Sequence, residues 1–468
     1  YYTSIGYDTF FLTGTDEHGQ KVQEAAKKNN IPPKKHVDKV VQRFKSVWDN
    51  LDIQYNDFIR TTEKRHTDRV KEILNDLYVK EDIYKNEYEG LYSVSEERFI
   101  TEKEAEEGDF REIKKLKETN YFFKMSKYQT QLIKHIQTNP NFIQPESRKN
   151  EILSFLKNDL QDLCISRPKK RLSWGIELPF DTDYVAYVWF DALINYISAI
   201  GWNIDNQKFN ECWPADYHLM AKDILTTHCV YWPTMLMACN IPLPKTIFAH
   251  GWWLIDNTKM SKSIGNVIKP LDLADKYGSD SLRYYLMRNM VLGQDASFTY
   301  ESFIDRYNAD LANDYGNLVN RILILIHKYF DSKIPEKYEY NDLDLELIAK
   351  AKQSTIQIIE NYNKLKIHEA LEINIDLFRS LNKYLEIKSP WKTIKNPKEN
   401  NDTASTLYIA AEILRIGTVL ISPVMPEKTK ELFGYFNLKN NIYNYSFGYL
   451  KSGHEVSKPN NMFPKIDI

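Results

Sequence analysis

The spacing of apolar residues changes near Glu301, and this change constrains the fold more than any other feature of the chain. Before it, short apolar runs typical of buried strands, such as residues 10–12, alternate with segments of helical spacing. That alternation predicts βαβ units and a parallel sheet, and hence an α/β fold. After it, apolar residues recur only at helical spacing, as in residues 370–384, which predicts an antiparallel helical bundle.

The α/β part is interrupted between residues 86 and 130 by a stretch rich in charged residues and bracketed by short aromatic runs. We interpret it as an inserted β-rich subdomain. Apolar runs at residues 184–189, 217–220 and 246–248 then resume the α/β pattern. The expected domains are a first half of the sheet domain at 1–85, the insertion at 86–130, a second half at 131–300 and the helical bundle at 301–468.

Charge and cysteine content exclude several classes of protein. The 62 Lys and Arg residues nearly balance 64 Asp and Glu residues, and the net charge of −2 argues against a sequence-independent binder of nucleic acid while allowing recognition of a few bases. No apolar run approaches the roughly 20 residues of a membrane helix. The four cysteines form no CxxC pair. We therefore expect a cytoplasmic protein with no membrane and no DNA partner.

The string KMSKS at residues 259–263, followed by IGN, is the most specific motif in the sequence. Lys259 and Lys262 lie three residues apart among small hydroxyl residues, which suits a loop that closes over an anion. Their ammonium groups would stabilise charge that develops on a leaving polyphosphate. A generic KxxK is usually an exposed basic turn, but the complete string is far more specific.

KMSKS is the second signature of class I aminoacyl-tRNA synthetases, and the chain resembles the methionyl-tRNA synthetases among them. Further matching stretches follow in family order: residues 13–20 (TGTDEHGQ), 173–179 (SWGIELP), 187–196 (YVWFDALINY), 222–232 (KDILTTHCVYW) and 277–287 (YGSDSLRYYLM). The resemblance implies an α/β fold: a Rossmann-like parallel-sheet catalytic domain, split by an inserted connective subdomain and followed by an α-helical, anticodon-binding bundle.

The resemblance also implies a two-step reaction. The carboxylate of L-methionine attacks the α-phosphorus of ATP, which carries Mg²⁺, and gives methionyl-adenylate and pyrophosphate; tRNA(Met) then accepts the methionyl group on its terminal adenosine. Such transfers depend on positioning and charge stabilisation rather than on a nucleophilic side chain. Lys259 and Lys262 are the expected catalytic residues, since they would stabilise the leaving pyrophosphate. We expect a monomeric enzyme.

Asp16 follows a strand-like run, at the edge where open α/β sheets bind their ligands. A carboxylate at this place suits either an ammonium group or the N-cap of the helix that follows. The residues alone leave these two alternatives equal. The resemblance implies that Asp16 binds the α-amino group of methionine.

Three residues of the stretch 222–232 are spaced at i, i+4 and i+8, which places them on one helix face and by default predicts core packing. The resemblance implies instead a methionine pocket in which His228 stands beside the sulfur. Aromatic walls suit a thioether, because sulfur–aromatic contacts contribute about 0.3–1.5 kcal/mol. The expected lining is Ile224, His228 and Trp232 from this stretch, and Trp189, Ala192 and Tyr196 from a segment that passes from strand to helix.

The resemblance assigns further residues to ATP. Asp223 matches an aspartate that contacts the ribose, and His250 with Gly251 match the place where the adenine packs against backbone. Glycine permits such close approach, although an isolated His-Gly pair is weak evidence. Lys259 and Lys262 complete the expected ATP-binding set.

In the predicted bundle, Asn317 and Arg321 are i, i+4 neighbours, and Trp391 follows Pro390 at a helix break. In an unknown bundle, the default interpretation is a surface Asn/Arg pair and a packed tryptophan. Proteins read unpaired RNA bases by stacking and by hydrogen bonds to base edges. The resemblance implies that these three residues read the anticodon of tRNA(Met).

The sequence departs from the family pattern in two places. The first class I signature, HIGH or HLGH, is missing, and we expect it to lie upstream of Tyr1 in a longer protein. In the insertion, residues 91–99 match a zinc-binding segment but carry serines at both cysteine positions. Serine hydroxyls are poor ligands for zinc, which takes four N or S donors, so we expect no structural zinc and no other metal site.

Two alternative functions remain open. A non-catalytic tRNA-binding protein derived from a class I synthetase is favoured by the missing HIGH signature and opposed by the intact KMSKS string. A class I synthetase for another aliphatic amino acid is disfavoured because the large editing insertion usual in such enzymes is absent from this sequence.

Overall fold

The computed structural model of the protein describes residues 1–93, 98–100, 105–106, 113–255, 258–259, 268–438 and 443–467. The chain forms two compact units. The sheet unit comprises Phe10–Ser46 and Gln54–His250, and the bundle unit comprises Tyr1–Thr9, Val47–Ile53 and Gly251–Ile468. The predicted limits 1–85, 86–130, 131–300 and 301–468 describe a different division and stay predictions.

The strands are named in chain order. They are β1 (Leu12–Thr15), β2 (Asp57–Arg60), β3 (Ile83–Ser93), β4 (Arg98–Ile100), β5 (Ile113–Phe123), β6 (Ile143–Gln144), β7 (Leu163–Cys164), β8 (Ser166–Pro168), β9 (Glu177–Leu178), β10 (Asp181–Ala186), β11 (Tyr217–Ala221), β12 (Thr246–His250), β13 (Trp253–Ile255), β14 (Thr258–Lys259) and β15 (Ala296–Phe298).

The α-helices are named in the same way. They are α1 (Gln20–Lys28), α2 (Pro33–Asn50), α3 (Lys64–Val79), α4 (Gln129–Thr138), α5 (Glu146–Phe155), α6 (Val188–Leu193), α7 (Asn195–Ser198), α8 (Asn206–Cys212), α9 (Trp232–Ala238), α10 (Pro270–Tyr277), α11 (Ser279–Asn289), α12 (Tyr300–Arg306), α13 (Asn317–Tyr329), α14 (Asp342–Asn363), α15 (Ile367–Lys388), α16 (Pro390–Thr393), α17 (Asn400–Ile421) and α18 (Pro426–Tyr435). Two segments, Thr227–Tyr231 and Tyr307–Gly316, are π-helical.

Parallel strand pairs form the part of the sheet unit that carries the predicted site. β1 pairs with β2, with Leu12 opposite Asp57 and Thr15 opposite Arg60. β12 lies between β11 and β6 and is parallel to both. The parallel strands predicted near residues 10–12, 217–220 and 246–248 are therefore confirmed, although the first begins at Leu12.

The apolar run at residues 184–189 does not form a parallel strand, so this part of the prediction is wrong. Its first half ends β10, which is antiparallel to both β8 and β9. Its second half begins α6 at Val188, with Tyr187 in the extended conformation as N-cap. A short apolar run does not distinguish strand from helix by its periodicity, and this run contains both.

The described part of residues 86–130 is β-rich, as predicted. β3 and β5 form a long antiparallel pair that extends from Ile83 opposite Phe123 to Ser93 opposite Ile113. β4 pairs with the far end of β3, and β7 pairs with β5. Charged side chains alternate along β3 at Lys85, Glu87 and Glu89, which suits an antiparallel sheet with one face in water.

In the bundle unit, the long helices α14, α15 and α17 pack against one another. α15 and α17 approach so closely that a Cβ on Gly417 would overlap the ring of Phe378. The apolar residues predicted from helical spacing are buried, which confirms the helical pattern: Leu347, Ala351, Ile358, Tyr362, Ala370, Leu377, Leu381, Tyr384, Leu407, Ala411, Leu414 and Thr418. Ile373 is partly buried against the same core.

A buried ion pair fixes the C-terminal segment against α17. Within the described residues, the helical stretch Pro397–Ile421 is long and apolar enough to cross a membrane, and its apolar window is 100% buried inside the protein. Glu412 and Arg415 lie within it, exposed by only 0% and 1%. Arg415 Nη2 donates to Glu412 Oε2 at 2.8 Å and to the Ser446 carbonyl at 2.7 Å, while Nη1 donates to the Asn444 carbonyl at 2.5 Å. The arginine thus closes a network of buried polar groups.

Replacing Arg415 should destabilise the bundle unit. Arg415→Met retains apolar packing but leaves the Glu412 carboxylate buried without its cation, which costs about 3–5 kcal/mol in comparable pairs. We expect a loss of that size in the free energy of unfolding, measured by urea denaturation. The exposed pair of Lys364 with Glu360, at 3.9 Å, supplies the control, because Lys364→Met should change the free energy by less than about 1 kcal/mol. Equal losses for the two variants would contradict the account.

Candidate functional site

The candidate site is built on the loop that follows β1. β1 ends at Thr15 beside its parallel partner β2, so residues 16–18 lie at the carboxyl edge where open parallel sheets bind ligands. Gly14 lets the strands approach, because a Cβ there would overlap the Ile59 carbonyl oxygen. The next three side chains, Asp16, Glu17 and His18, have different partners.

Glu17 fixes this loop to the neighbouring strand. Its side chain is 2% exposed, and its two oxygens accept from Arg60 Nε at 2.7 Å and from Arg60 Nη2 at 3.0 Å. Thr15 Oγ1 donates to the same carboxylate at 2.9 Å, and the Thr62 hydroxyl also donates to it. The Glu17 amide donates to Thr61 Oγ1 at 2.9 Å. The conformation of the loop therefore depends on one buried carboxylate.

His18 forms a hydrogen bond with a second buried carboxylate, that of Asp191. Its Nδ1 lies 2.6 Å from Asp191 Oδ2, and His66 Nε2 lies 2.7 Å from Asp191 Oδ1. Burial alone would raise the pKa of Asp191, but the charge and hydrogen bond of His18, together with His66, outweigh it and lower that pKa. Burial alone would lower the pKa of His18, but the Asp191 carboxylate outweighs it and raises that pKa. The cluster thus favours a histidinium–carboxylate pair.

Asp16 faces a cavity of about 210 Å³. Val37, Val41 and Phe44 of α2 line the apolar side of this cavity. The Asp16 side chain is exposed to solvent inside it, but surrounding protein atoms desolvate the carboxylate and, with the nearby negative charge of Asp191, raise its pKa to about 6. The alternative role as a helix cap is wrong, because Gly19 is the N-cap of α1 and no side chain caps that helix.

Tyr196 and His228 form the polar contact of an aromatic cluster. His228 Nδ1 lies 3.0 Å from the Ile224 carbonyl, which can only accept, so Nδ1 carries a proton. His228 Nε2 lies 2.8 Å from Tyr196 Oη. Burial lowers the pKa of His228 to about 4, so the ring is neutral near pH 7 and Nε2 accepts the hydroxyl proton of Tyr196.

Trp232 and His218 complete this cluster. Trp232 is 1% exposed, and its Nε1 donates to His218 Nε2 at 3.2 Å. The His218 ring centre lies 4.2 Å from that of Tyr196. Burial, followed by the influence of His228, lowers the pKa of His218 to about 3. The cluster therefore consists of two neutral histidines in contact with the rings of Tyr196 and Trp232. Burial raises the pKa of Tyr196, and the negative charge of Asp16 raises it further.

The backbone around His228 is not the single α-helix that the spacing predicts. Lys222–Ile224 is a 3₁₀ turn, Thr227–Tyr231 is a π-helix, and α9 begins only at Trp232. The segment is helical from residue 222 to 232, as the spacing predicts, but its helical type changes along its length. A π-turn widens the helix by one residue, and such turns occur often at functional sites.

The remaining residues predicted for the pocket lie in the core of the sheet unit. Ala192 is 3% exposed in α6, and Trp189 of the same helix is partly buried against that core. Ile224 is also partly buried there. The structure thus brings Tyr196, His228 and Trp232 into direct contact, and the Ile224 carbonyl joins this group by accepting from His228 Nδ1.

The residues predicted for ATP are divided between the units. Asp223 is exposed just after β11, and His250 ends β12 in the sheet unit. Ala221, the last residue of β11, lies opposite His250 in the parallel register. Asp223, two residues after Ala221, therefore lies at the same edge of the sheet as His250. Gly251 belongs to the bundle unit, where a Cβ would overlap the backbone of Gln294. This close backbone contact is sufficient to explain why residue 251 is a glycine, whether or not a ligand binds there.

The KMSKS string lies mostly outside the described residues. For Lys259 the structure gives only the backbone, in β14 opposite Leu254. Lys262 falls outside the described residues. The expected role of the two lysines therefore stays a prediction.

The residues predicted to read an anticodon come together in the bundle unit. The Arg321 guanidinium lies 5.0 Å from the Trp391 ring centre, and Arg321 Nη1 donates to Asn382 Oδ1 at 3.2 Å. Asn382 Nδ2 in turn donates to the Asp314 carbonyl at 3.0 Å. Asn317 is exposed at the start of α13, one turn before Arg321. A cation held against an indole face suits the stacking of a base.

Comparisons with known proteins agree along the whole chain. Residues 1–108 and 110–323 match the family model described as tRNA synthetases class I (M), and residues 334–467 match that of the anticodon binding domain of methionyl tRNA ligase. The methionine–tRNA ligase of Clostridium acetobutylicum is 45% identical over 99% of this chain and 73% of the relative. That of Caldanaerobacter subterraneus subsp. tengcongensis is 42% identical over 99% of this chain and 74% of the relative.

The chain belongs to the methionyl-tRNA synthetase family.

A solved member of this family supports the fold over its full extent. The crystal structure of Mycobacterium tuberculosis methionyl-tRNA synthetase bound by methionyl-adenylate superposes with a TM-score of 0.95, at 37% identity, covering 99% of this chain and 93% of that one. The expected α/β catalytic fold with a helical C-terminal part is thereby confirmed, as is the expectation of a class I methionine–tRNA ligase.

Family membership does not reveal every residue that shapes the site. Asp191, His218 and Asn382 were not predicted, although they bond to His18, Trp232 and Arg321. Glu17, which fixes the loop through Arg60, and His66, which bonds to Asp191, were not predicted either. Only the position of Glu17 and His18 beside Asp16 carried a signal in the sequence. The others lie far along the chain from the side chains they bond.

Metal binding is decided only for part of the chain. Among the residues that the structure describes, no group of three or more His, Cys, Asp or Glu side chains lies together in a way that could bind a metal ion. Much of the segment 91–112 is outside those residues. The expectation of no structural zinc therefore stays a prediction.

Replacing Asp191 tests the buried cluster. Asp191→Asn retains the shape of the side chain but removes the negative charge, so the pKa of His18 should fall. NMR titration of the histidine ring protons measures this change. The exposed pair of Asp68 with Lys64 lies elsewhere on the surface, and Asp68→Asn should leave the His18 titration where it is. An unchanged His18 pKa in Asp191→Asn would contradict the assignment of a histidinium–carboxylate pair.

Proposed function

We propose that the sheet unit binds L-methionine between Asp16 and the aromatic cluster of Tyr196, His218, His228 and Trp232, activates it with ATP and transfers it to tRNA(Met). The observation that carries this proposal is the hydrogen bonding of the cluster, in which His228 Nε2 accepts from Tyr196 and His218 Nε2 accepts from Trp232, so that both rings have an unprotonated nitrogen. A neutral, largely apolar recess with one hydroxyl suits a thioether, whereas a charged histidine would not.

The Tyr196–His228 bond determines what the cluster offers a ligand. Since the hydroxyl proton of Tyr196 is donated to His228 Nε2, the Tyr196 oxygen presents lone pairs rather than a donor. The methionine sulfur would then rest against ring faces and edges, where such contacts contribute about 0.3–1.5 kcal/mol. Selection of methionine would come from shape, and a pocket of this kind separates analogues that differ by a methylene by only about 1–3 kcal/mol.

Asp16 supplies the charge that the α-ammonium group needs. Its carboxylate is accessible in the cavity beside α2 and acts electrostatically on Tyr196, so an amino acid placed between them would present its two ends to groups of matching chemistry. The partial desolvation that raises the pKa of Asp16 also strengthens its attraction for a cation.

The carboxyl edge of the parallel strands is the proposed place for ATP. Asp223 and His250 follow neighbouring strands at that edge, where Asp223 would contact the ribose and His250 with Gly251 the adenine. Lys259 and Lys262 would stabilise the pyrophosphate as it leaves. Mg²⁺ would enter with ATP as part of the substrate. These roles rest on family resemblance and on strand position.

The reaction follows from this placement. An oxygen of the methionine carboxylate forms a bond to the α-phosphorus of ATP while the bond to the bridging oxygen breaks, which releases pyrophosphate. The hydroxyl of the terminal adenosine of tRNA then attacks the methionyl carbonyl and AMP leaves. Positioning and electrostatic stabilisation are sufficient for both transfers.

The bundle unit is the proposed site of anticodon recognition. The support is the contact between Arg321 and Trp391 and the exposure of Asn317 one turn earlier. We further propose a monomer in the cytoplasm without a structural zinc; the free state of Cys164, Cys229 and Cys239 suits a reducing compartment.

Amino-acid-dependent exchange between ATP and pyrophosphate tests the function. We expect the full-length gene product to catalyse exchange with methionine, because adenylate formation is reversible and needs no tRNA. Leucine and valine serve as controls. Exchange with one of these but not with methionine would contradict the proposal, and no exchange with any amino acid would favour the non-catalytic tRNA-binding alternative.

The ionisation of Asp16 should make methionine activation depend on pH. With a pKa of about 6, the carboxylate is charged above that pH and binds the ammonium group, and it loses its charge as the pH falls. We expect kcat/KM for methionine, which reports on the free enzyme, to be about tenfold lower at pH 5 than at pH 8.

Two variants isolate this effect. Asp16→Asn should have a much lower kcat/KM for methionine that no longer falls between pH 8 and pH 5. Asp183→Asn, which removes an exposed carboxylate of β10, should follow the wild-type profile. A wild-type profile in Asp16→Asn would exclude Asp16 as the group that titrates.

A further inference from the structure

Arg321 of α13 is oriented in the bundle unit by neutral groups. Its Nη1 donates to Asn382 Oδ1 at 3.2 Å, and its guanidinium lies 5.0 Å from the ring centre of Trp391. Within the residues that the structure describes, Arg321 forms no ion pair with a carboxylate. An amide and an indole face therefore set the direction of this cation and leave it without a bonded counter-charge.

The acidic residues that precede α13 are engaged by another arginine. Asp310 and Asp314 belong to the π-helical segment Tyr307–Gly316. Arg379 Nε donates to Asp314 Oδ2 at 2.7 Å, and Arg379 Nη2 donates to Asp310 Oδ1 at 2.9 Å. Asp310 is buried and also accepts from Tyr284 Oη at 2.7 Å. These two carboxylates are thus paired with Arg379 rather than with Arg321.

The orientation of the Asn382 amide follows from its second partner. Asn382 Nδ2 lies 3.0 Å from the Asp314 carbonyl oxygen, and a carbonyl oxygen can only accept a hydrogen bond. The nitrogen end of the amide must therefore face Asp314, and the oxygen end faces Arg321. A reversed amide would place an N–H group against the guanidinium, which has only donors. The amide can thus hold Arg321 in one way only.

Helix α15 supplies both groups that contact Asp314. Arg379 and Asn382 are three residues apart in this helix, so they lie on the same helix face. Arg379 bonds to the side chain of Asp314, and Asn382 bonds to its carbonyl. Because Asp314 is held at two points, the Asn382 amide has a fixed partner on one side while it orients Arg321 on the other.

A guanidinium that is fixed but not neutralised suits the edge of an RNA base. Arginine has five N–H donors, and in the described part of the chain only one of its bonds is made, to Asn382. A carboxylate in place of the amide would also hold Arg321, but it would neutralise the charge. Holding a long side chain in its binding orientation removes an ordering cost that corresponds to about threefold to tenfold in affinity.

We propose that Asn382 is a positioning residue for anticodon specificity, which holds the Arg321 guanidinium against Trp391 in the orientation that binds an anticodon base. The proposal rests on the proposed function, in which Arg321 and Trp391 read the anticodon of tRNA(Met). Asn382 does not contact the RNA in this account and acts only through Arg321. Its removal should therefore weaken the discrimination of the one anticodon base that Arg321 contacts.

The test compares aminoacylation of four tRNAs by the full-length gene product. These are tRNA(Met) and three variants of it, each with one anticodon base changed. The ratio of kcat/KM for tRNA(Met) to that for each variant measures discrimination at one base. A ratio obtained with a single enzyme preparation does not depend on the folded fraction of that enzyme, so a loss of stability alone leaves it unchanged.

We expect Arg321→Ala to lower this ratio at one base, which identifies the base that Arg321 contacts. Asn382→Ala should lower the ratio at the same base by about threefold to tenfold and leave the other two ratios as in the wild type. The matched control is Gln353→Ala, which removes an exposed amide of α14 and should leave all three ratios unchanged.

Two further variants test how Asn382 acts. Asn382→Asp retains an acceptor for Arg321 but adds a negative charge, so it should lower the ratio at this base at least as much as Asn382→Ala. In the Arg321→Ala background, Asn382→Ala should have no further effect, because two residues that act as one unit are not additive.

Several results would overturn the proposal. Unchanged ratios in Asn382→Ala, or equal losses for all four tRNAs, would leave Asn382 with a structural role only. Additive losses in the double variant would show that Asn382 acts independently of Arg321, and wild-type ratios in Asn382→Asp would show that the charge of Arg321 is not used. By contrast, a wild-type enzyme that does not discriminate between the four tRNAs would refute the proposed anticodon recognition itself.

Discussion

The bidentate ion pair between Glu17 and Arg60 is the interaction on which the candidate site depends. A carboxylate that is 2% exposed is stable only when its charge is paired and its oxygens accept hydrogen bonds, and here the guanidinium and two threonine hydroxyls meet that requirement. Because Asp16 and His18 flank Glu17, fixing one residue sets the directions of the other two. Asp16 faces the cavity beside α2, and His18 bonds to Asp191.

Two histidines of the sheet unit, His18 and His228, have pKa values that are shifted in opposite directions, and the hydrogen-bond partner decides the direction. His228 bonds to a carbonyl and a hydroxyl, so burial lowers its pKa to about 4 and the ring is neutral. His18 bonds to the Asp191 carboxylate, which raises its pKa in spite of burial. The neutral rings around Tyr196 suit a thioether, whereas His18 is bonded to a buried carboxylate.

Sequence reasoning predicted the features that depend on local patterns. The period of the apolar residues identified most of the parallel strands and the helices. The motifs drew attention to Asp16, Tyr196 and His228, whose roles in binding stay predictions. It failed where the chain departs from a regular period, as in the π-turn around His228 and in the run at residues 184–189. It also missed Asp191, because the partners of that carboxylate, His18 and His66, are 173 and 125 residues away in the chain. No local pattern records such pairings.

A crystal structure of the protein with methionine bound tests the central claim most directly. The account predicts the α-ammonium nitrogen within about 2.7–3.2 Å of an Asp16 oxygen and the sulfur against the rings of Tyr196, His228 and Trp232, with the Tyr196–His228 bond intact. Methionine bound elsewhere, or bound in this recess with its ammonium group away from Asp16, would contradict it.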